Sequence, residues 1–100
     1  MGLIDLAGRN ALITGAAKRV GRSIAYALAQ EGVNIVVHYN TSQIEAEALV
    51  GELRDRGAGA WALQASLHDP TRIDDLWQRA LNSVPQGRIS LLVNNASLFP

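Results

Sequence analysis

Four short apolar runs, separated by three stretches of helical periodicity, limit the folds open to this chain more than any other feature. Ala11-Leu12-Ile13-Thr14 is too short for a helix and stops at Gly15, so it reads as a buried strand. Val33-Asn34-Ile35-Val36-Val37, Ala60 to Ala65 and Ile89 to Val93 read the same way, the last running into Asn94-Asn95-Ala96. Between the first two runs, Val20, Ile24 and Leu28 recur at every fourth position until Gly32 stops the helix. Ser42 and Glu45 form a capping box ahead of an apolar stripe of Ile44, Ala48, Leu49 and Leu53, which ends at Gly57. Asp69 as N-cap and Pro70 at the first helical position open the third helix, with Ile73, Leu76, Trp77, Ala80, Leu81 and Val84 on its apolar side. Pro85-Gln86-Gly87 ends it, and both Trp61 and Trp77 read as packing residues.

Parallel strands need crossover connections, and helices of this length supply them. The right-handed rule then predicts an α/β, Rossmann-type doubly wound parallel sheet over residues 1–100, in strand order 3-2-1-4. The first two helices lie on one face and the third on the other. Ligands of such sheets bind where the strand order reverses, which points to the loops Gly15 to Gly21 and Asn94 to Pro100.

Composition narrows the function. Nine basic and nine acidic residues give no basic field for a nucleic-acid backbone. The absence of cysteine removes disulfides, thiolate zinc sites and thiol nucleophiles, and His38 and His68 alone make a poor metal site. No signal peptide, myristoylation signal or membrane span is visible, so a soluble cytoplasmic protein without a nucleic-acid or membrane partner is expected.

Thr14-Gly15-Ala16-Ala17-Lys18-Arg19-Val20-Gly21 joins a strand to a helix N-terminus, where free amides and the dipole attract a pyrophosphate. Five residues between the glycines, followed by Arg22-Ser23, exclude a Walker A loop, and the G-x-G-x-x-G fingerprint also fails. The glycines alone could be turn chemistry; Lys18, Arg19 and Arg22 beside them favour an anion. An NAD site places a carboxylate at the end of strand 2, yet no acidic residue lies between Glu31 and Glu45. His38-Tyr39-Asn40-Thr41-Ser42 stands there instead, a set of donors suited with Arg19 to a 2′-phosphate, so NADP is expected over NAD. Alternatively, His38 and Tyr39 pack the strand end and Ser42 only caps a helix. Asn94 and Asn95 end a buried strand with amides that need partners, either clamping backbone or shaping a cofactor floor. Phe99 either packs or stacks a flat heterocycle.

Together, Thr14-Gly15 with Gly21, the polar end of strand 2 and Asn94-Asn95-Ala96 resemble the N-terminal half of a short-chain dehydrogenase/reductase over the whole chain. Arg19 stands where most of that family has a middle glycine. Thr14 to Ala25, His38-Tyr39 and Asn95-Ala96-Ser97 with Phe99 resemble the pteridine and dihydromonapterin reductase branch. The resemblance implies NADP(H) as cofactor and a pterin-like small-molecule substrate. It implies cofactor contacts from Gly15, Lys18, Arg19 and Val20 in the first loop, His38, Tyr39, Asn40, Thr41 and Ser42 after strand 2, and Asn95, Ala96 and Ser97 after strand 4. Ser66 and the Leu67 backbone fall at the adenine position, although Ser66 replaces a usual aspartate and Thr41 an arginine of pteridine reductases. Arg19, Ser97 and Phe99 fall at substrate positions.

The family's catalytic tyrosine has a lysine four residues later. Tyr26 is followed at that spacing by Gln30, and Tyr39 by Gln43, so no catalytic residue is assigned in this chain. The resemblance thus implies the cofactor-binding segment of a longer reductase that forms homo-oligomers, tetramers in the family. A 3-oxoacyl-carrier-protein or general carbonyl reductase is the nearest alternative. A non-catalytic nucleotide-binding or interaction module is an alternative of another kind, and a methyl-donor-binding domain is disfavoured by the missing acidic end of strand 2. Strand 4 is apolar on both faces, so as a sheet edge it calls for a covering segment or another chain.

Overall fold

The computed structural model describes residues 5–95. Its strands are β1 (Asn10–Thr14), β2 (Asn34–Tyr39), β3 (Ala60–Gln64) and β4 (Leu91–Asn94). The helices are α1 (Arg19–Gln30), α2 (Gln43–Asp55) and α3 (Pro70–Ser83), with a single 3₁₀ turn at Pro85–Gly87 before β4. The four strands form one parallel sheet in the order β3-β2-β1-β4, as the alternation of apolar runs and helices requires.

Successive residues of β1 and β2 point to opposite faces and divide the core in two. Ala11, Ile13, Ile35 and Val37 pack with Ala25 of α1 and with Ala46, Leu49 and Leu53 of α2. Leu12 and Val36 pack on the other face with Ala80 of α3 and Val84, flanked by half-buried Trp61, Leu63 and Ile89. The expected division of helices between faces is therefore observed.

Several details differ from the sequence expectation. β2 begins and ends later than Val33 to Val37, so His38 and Tyr39, read as standing at its polar end, are ladder residues paired with β3. β4 starts two residues later than expected and includes Asn94, while β3 ends before Ala65. In α1 the buried positions are Gly21 and Ala25, and Val20 is 62% exposed. The small residues face the sheet because the helix lies close to it, which rotates Val20 outward. Ile44 is 81% exposed and Ala48 is exposed, since α2 instead buries Ala46, Leu49, Val50 and Leu53. Ile73 and Trp77 of α3 also face outward, which corrects the packing role expected for Trp77.

Asp69 caps α3 as expected, its carboxylate accepting the Thr71 amide at 3.0 Å and the Thr71 hydroxyl at 2.8 Å. These bonds hold the Asp69 carboxyl below its ordinary pKa. The capping box at Ser42 and Glu45 does not form: Ser42 precedes α2, but its ψ of 54° is not the extended conformation that aims an N-cap oxygen at the first turn. Among the described residues β4 is one edge of the sheet and β3 the other, and Leu92 of β4 is 61% exposed.

Candidate dinucleotide site

The carboxyl ends of β1, β2 and β4 converge on the turn after Thr14. Gly15 takes the left-handed conformation at φ 63°, which redirects the chain from β1 toward α1 without a Cβ clash. Gly21, in the first turn of α1, is required for a different reason. A Cβ on it would lie 2.6 Å from both Asn95 Nδ2 and the Gly15 carbonyl oxygen, and 2.8 Å from Ala16 Cα. The helix, the loop and the end of β4 thus meet at one point where only hydrogen fits.

Polar side chains fix this junction. The Thr14 hydroxyl donates to Asn94 Oδ1 at 3.1 Å and accepts the Asn95 amide at 2.9 Å. Asn95 Nδ2 donates to the Gly15 carbonyl at 3.2 Å, which is the backbone clamp open to a paired amide at the end of a strand. The Gly15 amide donates to His38 Nδ1 at 3.0 Å, and the Ala16 amide to the His38 carbonyl at 3.2 Å. His38 Nε2 lies 2.8 Å from the Ala65 carbonyl.

That arrangement corrects the role expected for His38. It is 2% exposed with both ring nitrogens engaged inside the protein, so it holds the glycine loop and presents no donor to a phosphate. Burial is the largest influence on its pKa and lowers it; the Ala65 contact acts in the opposite sense, and Arg79 lowers it further. Tyr39 is half-buried and packs with the α1/α2 core. Asn40 and Thr41 are exposed and Ser42 is half-buried, so the surface-facing donors of this segment begin at Asn40. Gln64 Nε2 ties Asn40 to β3 through the Asn40 carbonyl at 3.1 Å. Ser66 and Leu67 follow β3 and are half-buried.

Lys18, Arg19 and Val20 are exposed at the start of α1. Lys18 is the N-cap and makes no side-chain capping bond, and the first turn contains no acidic residue. The amides of the first turn have no intrahelical acceptors, so this end is electropositive and open to an anion. Arg19 adopts φ 47°, one of two positive values among the described non-glycine residues. The conformation is one that suits glycine, and here the position carries a guanidinium instead. Ala96, Ser97 and Phe99 lie outside the described residues.

Two residues escaped the sequence reading. Thr14 looked like the last residue of a strand, and its hydroxyl proves to join β1 to the end of β4. Asn10 opens β1 at the opposite end of the sheet and is 4% exposed, a buried amide preceding an apolar run. Its polarity was the available signal. Among the described residues, no group of three or more His, Cys, Asp or Glu could hold a metal, and no helix is long and apolar enough to cross a membrane.

Residues 9–100 match the family model described as short chain dehydrogenase. The chain is 38% identical over 90 residues to 3-oxoacyl-[acyl-carrier-protein] reductase FabG of Staphylococcus aureus, which covers 90% of this chain and 36% of that protein. The structure of FolM alternative dihydrofolate reductase 1 from Brucella canis complexed with NADP matches with a TM-score of 0.87 and 37% identity, over 97% of this chain and 38% of that one. A short chain dehydrogenase from Burkholderia cenocepacia in complex with NADP gives 0.88 and 33% identity, over 97% and 39%. The chain therefore spans less than two fifths of the length of these relatives.

Proposed function

The chain belongs to the short-chain dehydrogenase family, and on that premise we propose that it forms the NADPH-binding part of a reductase acting on a pterin-like heterocycle. The carrying observation is the junction where Gly15, Gly21 and Asn95 meet below an uncapped, acid-free helix start bearing Lys18 and Arg19. The fit is chemical as well as steric. A pyrophosphate would meet the first-turn amides around Val20 and the Arg19 guanidinium, both without an internal acceptor among the described residues. The end of β2 presents Asn40, Thr41 and Ser42 and no carboxylate, which suits a 2′-phosphate better than a ribose diol. Ser66 and the Leu67 backbone stand at the end of β3 on the adenine side.

When bound, NADPH supplies a hydride. The residues of this chain bind and orient: the loop amides and Arg19 hold the phosphates, and Thr14 and Asn95 keep the loop at its fixed distance from β4. Arg19 is also assigned to the substrate side, together with Ser97 and Phe99. The proton donor is proposed to lie in the part of the relatives' length that this chain does not span.

The FolM relative supports a pterin substrate, and the FabG relative supports a second reading, a 3-oxoacyl thioester. Arg19→Ala in the full-length protein tests the cofactor assignment. Loss of a charge-assisted phosphate contact, ~1.5–3 kcal/mol, predicts roughly 10- to 150-fold weaker NADPH binding by fluorescence titration, and unchanged affinity would refute it. Steady-state rates with a dihydropterin and with a 3-oxoacyl thioester then separate the two substrates.

A further inference from the structure

Hydrogen-bond polarity fixes the state of His38. The Gly15 amide can only donate, so Nδ1 must be an acceptor; the Ala65 carbonyl can only accept, so Nε2 must carry the proton. The ring is therefore the neutral Nε2–H tautomer, bridging the turn after β1 to the residue after β3 across the end of β2. An imidazolium would place an N–H against the Gly15 N–H, and that contact would have to open.

We infer that His38 is a positioning residue for the dinucleotide site, holding the Gly15 turn in its binding geometry when neutral and releasing it when protonated. This rests on the proposed cofactor role of the glycine loop. The groups facing the ring make the switch specific to His38. From β1 and its turn come Thr14 and Gly15, and from β3 come Leu63, its register partner, with Gln64 and Ala65 just beyond; none carries a charge. From α3 comes Arg79, ion-paired with Asp75 at 2.8 Å and donating to the Gln64 carbonyl. A cation on that side disfavours a second cation on the ring, in the same direction as burial.

The test uses full-length protein with ¹⁵N-histidine labelling and NADP⁺ titrations between pH 7.5 and 5. At pH 7.5 the His38 nitrogens should show the Nε2–H pattern, and the Gly15 amide resonance should move with His38 protonation below pH 6.5. NADP⁺ affinity should fall about five- to tenfold over the same titration, the effect of losing one loop hydrogen bond. His38→Asn offers an Oδ1 near the position of Nδ1 and does not titrate, so it should retain affinity at pH 7.5 and lose the His38 part of the acid limb. His38→Gln reaches toward Ala65 but leaves Gly15 without an acceptor, so it should bind weakly at every pH.

The 2′-phosphate itself titrates near pH ~6, which makes the difference between wild type and His38→Asn the decisive quantity. Equal acid limbs in the two proteins would overturn the inference, as would an Nδ1–H tautomer or a Gly15 amide indifferent to the titration. The NMR readout requires no variant to fold. Failure of NADP⁺ to bind at pH 7.5 would sink the proposed function instead, leaving the tautomer and the Gly15 response to judge His38.

Discussion

On the α3 side of the sheet, β1 reads Asn10, Leu12, Thr14 and β2 reads Asn34, Val36, His38, so each strand has one apolar residue between two polar ones. The two ends put this shared pattern to different uses. At the amino end, Asn10 Nδ2 donates to the carbonyls of Pro85 and Arg88 at 2.8 and 2.7 Å, and Asn10 Oδ1 accepts from Asn34 Nδ2 at 2.9 Å. Asn34 Oδ1 then accepts the Gly59 amide at 3.1 Å. Amides satisfy every one of these contacts with groups that do not titrate, and the result ties the entries of all four strands together. At the carboxyl end, Thr14, His38 and Asn95 perform a similar tying role, but one member titrates and the backbone they hold is the proposed ligand loop. A buried polar network costs little when fully paired and a great deal when half-paired. The amino end is thus suited to stability alone, and the carboxyl end to stability coupled with binding.

The largest expected effect is that of Gly21→Ala. Its Cβ meets backbone at 2.6 and 2.8 Å, which cannot yield by a rotamer change, so α1 must move away from Gly15 and Asn95. A loss of about 3 kcal/mol in urea unfolding is expected for overpacking of this kind, together with a severe loss of NADP⁺ affinity. Full affinity in this variant would show that the carboxyl-end junction is not part of the site.

Asn10→Ala comes next and probes the other end. It removes three hydrogen bonds at once and leaves the Asn34 amide and two carbonyls without their partner, a loss of about 2 kcal/mol. NADP⁺ affinity measured on the folded protein should stay unchanged, because the proposed site lies at the opposite end of β1. A parallel fall in affinity and stability would erase the distinction between the ends.

Acid sharpens the contrast further. His38 has a lowered pKa in the folded state, so the unfolded chain binds its proton more readily. Its stabilising contribution is present in full above the unfolded value of 6.5 and declines as pH falls below that toward the folded pKa. His38→Asn should remove this part of the acid sensitivity in denaturation midpoints taken from pH 7.5 to 5, whereas Asn10→Ala should leave it in place.

How much of this the sequence disclosed follows the same division. Strand order and helix faces were legible because apolar period and crossover handedness leave few alternatives. The glycine loop and the missing carboxylate of β2 were legible because they are local. Helix rotation was not: Val20 and Ile44 satisfy a 3.6-residue period as well as the residues that are buried, and only packing on the sheet, through Gly21 and Ala25 in α1 and through Ala46, Leu49, Val50 and Leu53 in α2, decides which face turns inward. The bonds of Thr14, Asn10 and His38 link positions as far as 81 residues apart, so no short window of sequence contains both partners. His38 was read as a ligand donor because it lies next to exposed polar residues, Asn40 and Thr41; strand pairing through Tyr39 turned it inward.

Arg19→Gly carries the smallest effect on stability and is the most discriminating. A non-glycine residue at φ 47° costs about 1 kcal/mol in the folded state. Glycine removes that strain but adds backbone freedom to the unfolded chain, roughly 0.5–1 kcal/mol in the other direction. The net change in unfolding free energy is therefore expected to lie within about 0.5 kcal/mol of zero. Affinity for NADP⁺ should nonetheless fall as in Arg19→Ala, because the guanidinium is gone in both. Stability unchanged with binding lost would mean that Arg19 occupies a glycine's conformation for the sake of its charge. Binding retained would make Arg19 a tolerated substitution in the turn and return the phosphate contact to the amides of α1 alone.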